Sequence, residues 1–118
     1  MLKRNYEYWY IVTALHKLGV VAIPATNMLT AEDISYRVNV ANIKMAVCTP
    51  DSETIEHLLT AANRENSLKT VFVAREDFDG TVNITKEIED ASDELERVEA
   101  NAYLLYIGHN RLSEGGCA

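Results

Sequence analysis

The chain has 118 residues, of which 47% are hydrophobic and 25% charged, with two Pro and five Gly. This composition is typical of one soluble globular domain, and it excludes collagen-like, low-complexity and membrane-spanning classes. Residues 1–50 carry five basic and three acidic side chains, whereas residues 51–118 carry six basic and fifteen acidic ones, for a net charge of −7. The acidic second half argues against nucleic-acid binding because it repels phosphate backbones.

The first predicted helix is followed by a predicted strand. Its apolar side chains recur at helical spacing and Gly19 stops it, so Tyr8 and Trp9 are expected on the inward stripe. Val20–Ile23 is then continuously apolar and ends at Pro24, which favours a parallel strand covered on both faces.

The second helix begins at Thr30, whose hydroxyl can accept a hydrogen bond from the Asp33 amide, and it extends to about Asn42. Met45–Cys48 is predicted as a strand. A third helix follows between Pro50 and Ser67. Its inward face consists of the apolar residues Ile55, Leu58, Leu59 and Ala62.

The remaining pattern gives a strand at Thr70–Val73, a turn at Asp79-Gly80 and an acidic helix over Ile84–Glu96. This alternation predicts a three-layer α/β/α arrangement with a short parallel sheet. Residues 102–107 resemble the start of a fourth strand. Residues 108–118 show neither the helical nor the strand periodicity of apolar residues, and we expect them to pack poorly.

Residues with catalytic or metal-binding potential are isolated. His16, His57 and His109 each lack a second ligand at a suitable spacing, so surface or boundary roles are favoured. Asp77–Gly80 resembles part of a calcium loop, but Arg75 and Lys86 would occupy ligand positions that need carboxylates, which leaves a turn.

The two cysteines lack the spacing of a metal or redox motif. Cys48 is predicted to be an inert core residue, and Cys117 near the end of the chain carries no assignment. Unpaired cysteines and the absence of a signal-peptide pattern after Met1 predict a cytoplasmic protein.

Two surface features have competing interpretations. The acidic side chains between Glu87 and Glu99 could bind a basic partner, but a solvated helix face is favoured. The aromatic group Tyr6, Tyr8, Trp9 and Tyr10 could be a binding platform, but core or interface packing is favoured.

The first half of the chain resembles the AMP-forming acyl-CoA synthetases of the adenylate-forming superfamily. The residues that carry the similarity are Tyr6–Trp9, Ala14–Thr26 and Leu29–Val38. The second of these runs ends in Ile-Pro-Ala-Thr, which resembles the sequences of the branch that acts on short- and medium-chain carboxylates. The match is good from Tyr6 to Val47 and looser up to Leu105.

This resemblance implies an internal segment of a much longer N-terminal domain, with residues 1–106 as an α/β subdomain fragment. Members of the family use ATP, Mg²⁺ and coenzyme A to convert a carboxylate to acyl-CoA with release of AMP and pyrophosphate. For this chain alone we expect no bound cofactor and no activity, and no residue is assigned as catalytic, cofactor-binding or metal-binding. Arg37 and Pro24–Thr26 match family positions and are interpreted as fold residues: Arg37 anchors a helix and Pro24 ends a strand.

The resemblance also implies a phosphate-binding loop, Thr-Ser-Gly-Thr-Thr-Gly-x-Pro-Lys, directly after a strand such as Ala102–Tyr106. The loop is absent from the reading frame. Codons can be chosen for Tyr106–Cys117 that, read one nucleotide later, encode Thr-Ser-Gly-Thr-Thr-Gly-Tyr-Pro-Lys. We therefore expect a frameshift near Leu105 to Ile107 with early termination, and residues 107–118 as a frameshifted tail.

The alternative hypothesis is a small non-catalytic α/β binding or regulatory module that uses its acidic helix or a sheet edge. In either case we expect self-association through the exposed apolar helix and the sheet edges, with no nucleic-acid or membrane partner.

Overall fold

The protein is described by a computed structural model that covers residues 1–2 and 5–96. The elements in chain order are α1 (Glu7–Lys17), α2 (Ala31–Ala41), β1 (Met45–Cys48), α3 (Ser52–Arg64), β2 (Thr70–Val73), β3 (Val82–Asn83) and α4 (Ile84–Asp90). This confirms the predicted α/β class. The described residues divide into two compact units: the sheet unit, residues 1–2, 5 and 26–91, and the α1 unit, residues 6–25 and 92–96.

The sheet has three parallel strands in the order β1-β2-β3. Met45 pairs with Thr70 and Cys48 with Val73. The ladder continues past both strand ends, since the Lys69 amide donates to the Lys44 carbonyl at 2.8 Å and the Ala74 amide to the Cys48 carbonyl at 3.1 Å. Parallel neighbours require a crossover connection, which α3 supplies between β1 and β2.

Two of the three predicted strands are confirmed, with the same bounds: Met45–Cys48 and Thr70–Val73. The predicted strand at Val20–Ile23 is wrong. This segment is not a strand, and its valines and isoleucine are 41–53% exposed. A short apolar run becomes a strand only when a neighbouring strand takes up its backbone N–H and C=O groups. Pro24 therefore ends no strand, and β3 is the third strand instead.

The core of the sheet unit lies between the sheet and the helix pair α2 and α3. The buried side chains are Ile34, Val38, Cys48, Ile55, Leu58, Ala61, Leu68, Val71 and Val73. The predicted inward face of α3 is confirmed at Ile55 and Leu58, while Leu59 and Ala62 pack partly buried against this cluster. Burial of such side chains is the main stabilising contribution to a small domain.

Helix α2 has the predicted cap. The Thr30 hydroxyl accepts from the Asp33 amide at 3.3 Å, and an Asp33 carboxylate oxygen accepts from the Thr30 amide at 3.2 Å. This reciprocal arrangement satisfies two amides that have no partner within the helix. The helix ends at Asn42, which adopts a left-handed conformation with φ of 51°.

Helix α4 is shorter than predicted. It ends at Asp90, and residues 92–96 are not helical, whereas the expectation was a helix to Glu96. Acidic side chains four residues apart, such as Glu89 and Asp93 or Asp90 and Glu94, repel each other on a helix surface, and this repulsion accounts for the early end.

The α1 unit buries few apolar side chains. In α1 only Glu7 and Ile11 are buried, and Tyr8 is half-buried. The prediction that Trp9 faces inward is wrong, because its side chain is 72% exposed. The predicted glycine stop is confirmed: Leu18 caps the helix and Gly19 follows with φ of 68°.

Several expectations lie outside the described residues. These are the fourth strand at residues 102–107, the tail 107–118, and the assignments of His109 and Cys117.

Candidate functional site

The densest polar cluster in the described part of the chain follows β2 and β3, at the edge where parallel strands present their carboxyl ends. Asp77 is at its centre. Its carboxylate accepts from Asn83 Nδ2 at 3.2 Å and from Lys86 Nζ. These two hydrogen bonds, with the Lys86 charge, lower the pKa of Asp77 below its ordinary value.

The same cluster fixes the backbone of the turn. Arg75 has a left-handed φ of 69°, and its amide donates to Thr85 Oγ1 at 2.9 Å. The buried Asn83 side chain accepts from the amides of Thr85 and Lys86 at 3.1 and 3.3 Å, and so caps α4. Since these groups bond to one another and to the backbone, the cluster positions the turn and the start of α4 rather than a ligand.

The predicted turn at Asp79-Gly80 is confirmed. Gly80 has φ of 78°, and the Thr81 amide and hydroxyl both donate to the Phe78 carbonyl, at 3.1 and 2.8 Å. The positive φ explains why a glycine occupies the turn.

The outer edge of β1 is the second polar feature. The Met1 α-amine donates to the Val47 carbonyl at 3.0 Å, and the Thr49 amide donates to the Met1 carbonyl at 3.3 Å. This is the pairing pattern of a parallel bridge. Burial lowers the pKa of the amine below its ordinary value of 8.0, while the nearby Cys48 thiolate charge opposes this shift.

Cys48 is the buried free thiol that the sequence predicts. It is 0% exposed, and Sγ lies 3.6 Å from the Phe72 carbonyl. Burial raises its pKa to about 11, so the reactive thiolate is scarce at neutral pH. The predicted core position of Cys48 is confirmed.

The histidines of the described chain lie at the boundary between core and solvent, as predicted. His16 and His57 are both half-buried. His57 Nδ1 lies 3.2 Å from the Leu29 carbonyl, which requires a proton on Nδ1, and this bond ties α3 to the segment before α2. Its role in this arrangement is structural.

Four features escape sequence reasoning. Glu7 is a fully buried carboxylate that does have an interaction partner. The hydroxyls of Ser35 and Thr49 are buried without a hydrogen-bond partner in the described structure. Arg75 takes a left-handed φ that nothing in the residue type demands. No periodicity or motif marks any of these four positions.

Helix α1 presents an aromatic face. Tyr6 and Tyr10 are stacked at a tilt, with ring centroids 5.9 Å apart, and the Trp9 ring lies edge-on to Tyr8 at 5.4 Å. A shallow open groove along this helix is lined by Trp9, Tyr10, Thr13, Ala14 and Lys17. We call these five residues together with Tyr6 the α1 face.

The resemblance implies sites for Mg²⁺ and for the phosphates of ATP, which need specific groups of residues. The described residues bring together no group of three or more His, Cys, Asp or Glu that could hold a metal. They also contain no glycine-rich loop between a strand and a helix that could hold phosphates. The described residues therefore provide neither a carboxylate cluster for Mg²⁺ nor a glycine-rich loop for the phosphates of ATP. Within the same residues, no helix combines the length and apolar character needed to cross a bilayer.

Comparisons with known proteins give partial matches. No protein-family profile matches the chain. It is 33% identical over 104 residues to the acyl-coenzyme A synthetase ACSM4, mitochondrial, of Mus musculus, which covers 86% of this chain and 17% of that protein. It is 29% identical over 93 residues to the acyl-coenzyme A synthetase ACSM2B, mitochondrial, of Homo sapiens. This match covers 78% of this chain and 16% of that protein. The chain is thus similar to a segment of acyl-coenzyme A synthetases, and it spans about a sixth of the length of these curated relatives.

Proposed function

We propose that residues 1–106 are an internal α/β fragment of the N-terminal domain of an AMP-forming acyl-CoA synthetase, and that this chain is inactive by itself. The observation that carries the proposal is the 33% identity over 104 residues to an acyl-coenzyme A synthetase. The parallel sheet of Met45–Cys48 and Thr70–Val73 supports it, since the resemblance implies an α/β segment. The parent reaction joins a short- or medium-chain carboxylate to coenzyme A and consumes ATP with Mg²⁺.

The inactivity follows from the chemistry that adenylation requires. An attacking carboxylate and the triphosphate must be held together, and the charge that develops on the phosphates must be neutralised by backbone amides, a lysine and Mg²⁺. Two polar clusters of the described chain have structural roles: Asp77, Asn83 and Lys86 hold the turn before α4, and Thr30 and Asp33 cap α2. These residues are therefore proposed as fold residues.

A pyrophosphate assay tests this proposal. The purified chain is incubated with ATP, Mg²⁺ and butyrate or acetate, and a full-length acyl-CoA synthetase serves as the positive control. We expect no carboxylate-dependent pyrophosphate from the chain. Pyrophosphate release that depends on the carboxylate would overturn the inactivity. A specific protein captured by the chain would instead favour the alternative of a binding or regulatory module.

We further propose that the reading frame changes near residues 105–107. The support is that codons can be chosen for Tyr106–Cys117 which, read one nucleotide later, encode the family's phosphate-loop pattern. Sequencing the coding DNA through this region tests the idea directly. We expect codons that encode Thr-Ser-Gly-Thr-Thr-Gly-x-Pro-Lys in the shifted frame. Codons that give an unrelated peptide in that frame would refute the frameshift and leave the similarity over residues 6–105 intact.

The proposed compartment is the cytoplasm, a reducing environment that suits the free thiol of Cys48. The names of the relatives above carry the word mitochondrial. Imaging of the chain fused to a fluorescent protein at its C-terminus distinguishes the two: mitochondrial signal would refute the cytoplasmic assignment.

A further inference from the structure

We propose that the α1 face is a self-association surface whose occupant is the same face of a second copy of this chain. The face consists of Tyr6, Trp9, Tyr10, Thr13, Ala14 and Lys17, as defined above. The exposed fractions of the three aromatic residues are 63% for Tyr6, 72% for Trp9 and 40% for Tyr10. A cluster of exposed aromatic rings is typical of interfaces, because such rings bury a large area at a small entropic cost.

The exposed area is sufficient for a weak dimer. With about 200 Å² for each aromatic side chain, the three exposed fractions leave on the order of 350 Å² of aromatic surface. Interfaces are about 57% apolar, so this surface corresponds to roughly 600 Å² on each copy. That value lies at the lower end of specific interfaces. The area therefore predicts a reversible dimer that forms with increasing concentration.

The charge distribution favours a second copy over a charged partner. Residues 5–24 contain one carboxylate, Glu7, which is buried, and one lysine, Lys17. A nucleic acid or a strongly charged peptide would find little complementary charge on this face. Helix α1 itself therefore contributes little repulsion between two copies, although each copy carries a net charge of −7.

The sheet offers a poorer route to association. The backbone of Met1 bonds to Val47 and Thr49 along the outer edge of β1, so this edge is partly covered. The opposite edge strand, β3, has only two residues, Val82 and Asn83. Short or covered edges protect a sheet from pairing with another chain. The α1 face is thus favoured over the sheet edges.

A two-fold arrangement follows from the identity of the two surfaces. When one patch pairs with its own copy, residue contacts are reciprocal and the assembly closes at two chains. Aromatic rings at the centre of such an interface stack or meet edge to face, while Thr13 and Lys17 lie toward its rim.

The single tryptophan makes this proposal directly measurable. Trp9 is the one tryptophan of the chain, so its fluorescence reports on the proposed face alone. Sedimentation velocity and tryptophan emission are recorded for the 118-residue chain over the same concentration series. We expect dimer formation and a shift of emission to shorter wavelength, with the same midpoint concentration in both measurements. Raising the salt concentration should leave the midpoint nearly unchanged, since the contact is apolar.

Matched variants locate the interface. Tyr10→Ser removes an aromatic ring from the α1 face and keeps Trp9 as reporter, and it should raise the dimer dissociation constant by about tenfold or more. Tyr36→Ser on α2 removes a 70% exposed tyrosine from the sheet unit and should leave the dissociation constant unchanged. Circular dichroism checks that both variants are folded.

Three results would overturn the proposal. The first is a monomer throughout the series with constant emission. The second is a dimer in which Trp9 keeps its exposed emission, which would place the interface elsewhere. The third is an equal loss of dimer in the Tyr10 and Tyr36 variants. None of these results bears on the pyrophosphate assay or on the reading frame.

Discussion

Helices α1 and α3 have similar lengths and opposite burial. Both begin with an acidic first turn and end with a basic residue in the last turn, which suits the helix dipole. Yet α3 buries Ile55 and Leu58 in the core, whereas α1, the more aromatic of the two, leaves Trp9 72% exposed. Hydrophobic content therefore does not determine burial. Helix α3 is buried because β1, β2 and α2 of its own unit pack against it.

The same contrast holds for two apolar runs of equal length. Met45–Cys48 and Val20–Ile23 each consist of four apolar residues. The first is a strand because its backbone N–H and C=O groups form hydrogen bonds with the backbone of β2. The second is not a strand, and its side chains are partly exposed. The two regions differ in whether neighbouring strands and helices pack against them. This difference should also appear in how much each region contributes to the free energy of unfolding.

The largest expected effect is that of Leu58→Ala. Leu58 is 1% exposed in the core of the sheet unit, so removing its side chain leaves a cavity and should lower the free energy of unfolding by about 2–5 kcal/mol. The matched variant is Leu18→Ala in the α1 unit, where the side chain is 43% exposed and the expected loss is about 1 kcal/mol or less. Urea unfolding followed by circular dichroism measures both. Equal losses would show that α1 is packed as tightly as α3.

The next largest effect is that of Gly80→Ala in the turn before β3. Gly80 has φ of 78°, and an added Cβ would meet the Leu59 methyl groups at ordinary contact distance, so backbone strain is the dominant cost. We expect a loss of about 1–2 kcal/mol in unfolding free energy. Gly80→Asn should lose less, because asparagine tolerates left-handed φ better than alanine does.

The corresponding change in the α1 unit is Gly19→Ala, where φ is 68°. The strain is of the same kind. If the α1 unit unfolds separately from the sheet unit, this variant should shift an early transition and leave the main one unchanged. A single transition shifted equally by both glycine variants would show that the units unfold together.

A smaller effect is expected for Thr30→Ala at the start of α2. The change removes the hydroxyl that accepts from the Asp33 amide at 3.3 Å. Loss of such a cap costs about 1 kcal/mol. Thr30→Ser keeps the hydroxyl and should restore most of the stability, which separates the cap from the methyl group. A serine variant as unstable as the alanine variant would contradict this explanation.

The features that sequence predicted well are local ones. The cap at Thr30, the stop at Gly19 and the turn at Gly80 each depend on residues within a few positions of one another. The strands Met45–Cys48 and Thr70–Val73 were also predictable, because each lies between strong turn or helix-start signals.

The features that sequence missed depend on distant partners. Trp9 fits an inward stripe by spacing, but its exposure depends on which surfaces face α1. The strand Val82–Asn83 has two residues and exists because Phe72 and Val73 of β2 pair with it. The turn cluster around Asp77 joins residues up to ten positions apart through side-chain geometry that periodicity does not encode. The sequence predicted a turn at Asp77–Gly80, but the hydrogen bonds of Asp77 and the capping role of Asn83 were identifiable only in the structure.

The smallest expected effect is a pH dependence that arises at the outer edge of β1. The pKa of the Met1 α-amine is lowered from 8.0 by burial, so below pH 8.0 the unfolded chain binds more protons than the folded chain does. The stability of the 118-residue chain should therefore rise with pH up to about 8. Cys48 acts in the opposite direction. Its pKa is raised from 9.0 to about 11, so the folded chain keeps a proton that the unfolded chain loses, and stability should fall above pH 9.0.

Two modified chains assign these contributions. Acetylation of the Met1 amine removes the charge but keeps an N–H that can donate to the Val47 carbonyl, so it should flatten the rise below pH 8.0 relative to the unmodified chain. Cys48→Ala lowers stability at every pH through lost packing, but it should remove the decrease above pH 9.0. Urea unfolding over a pH series gives both differences as changes in the free energy of unfolding. The other titrating groups are common to all three chains, so each difference from the unmodified chain reports on the modified group. A difference that does not vary with pH would show that the pKa of this group is the same in the folded and the unfolded chain. The edge of β1 would then be as open to water as the α1 face.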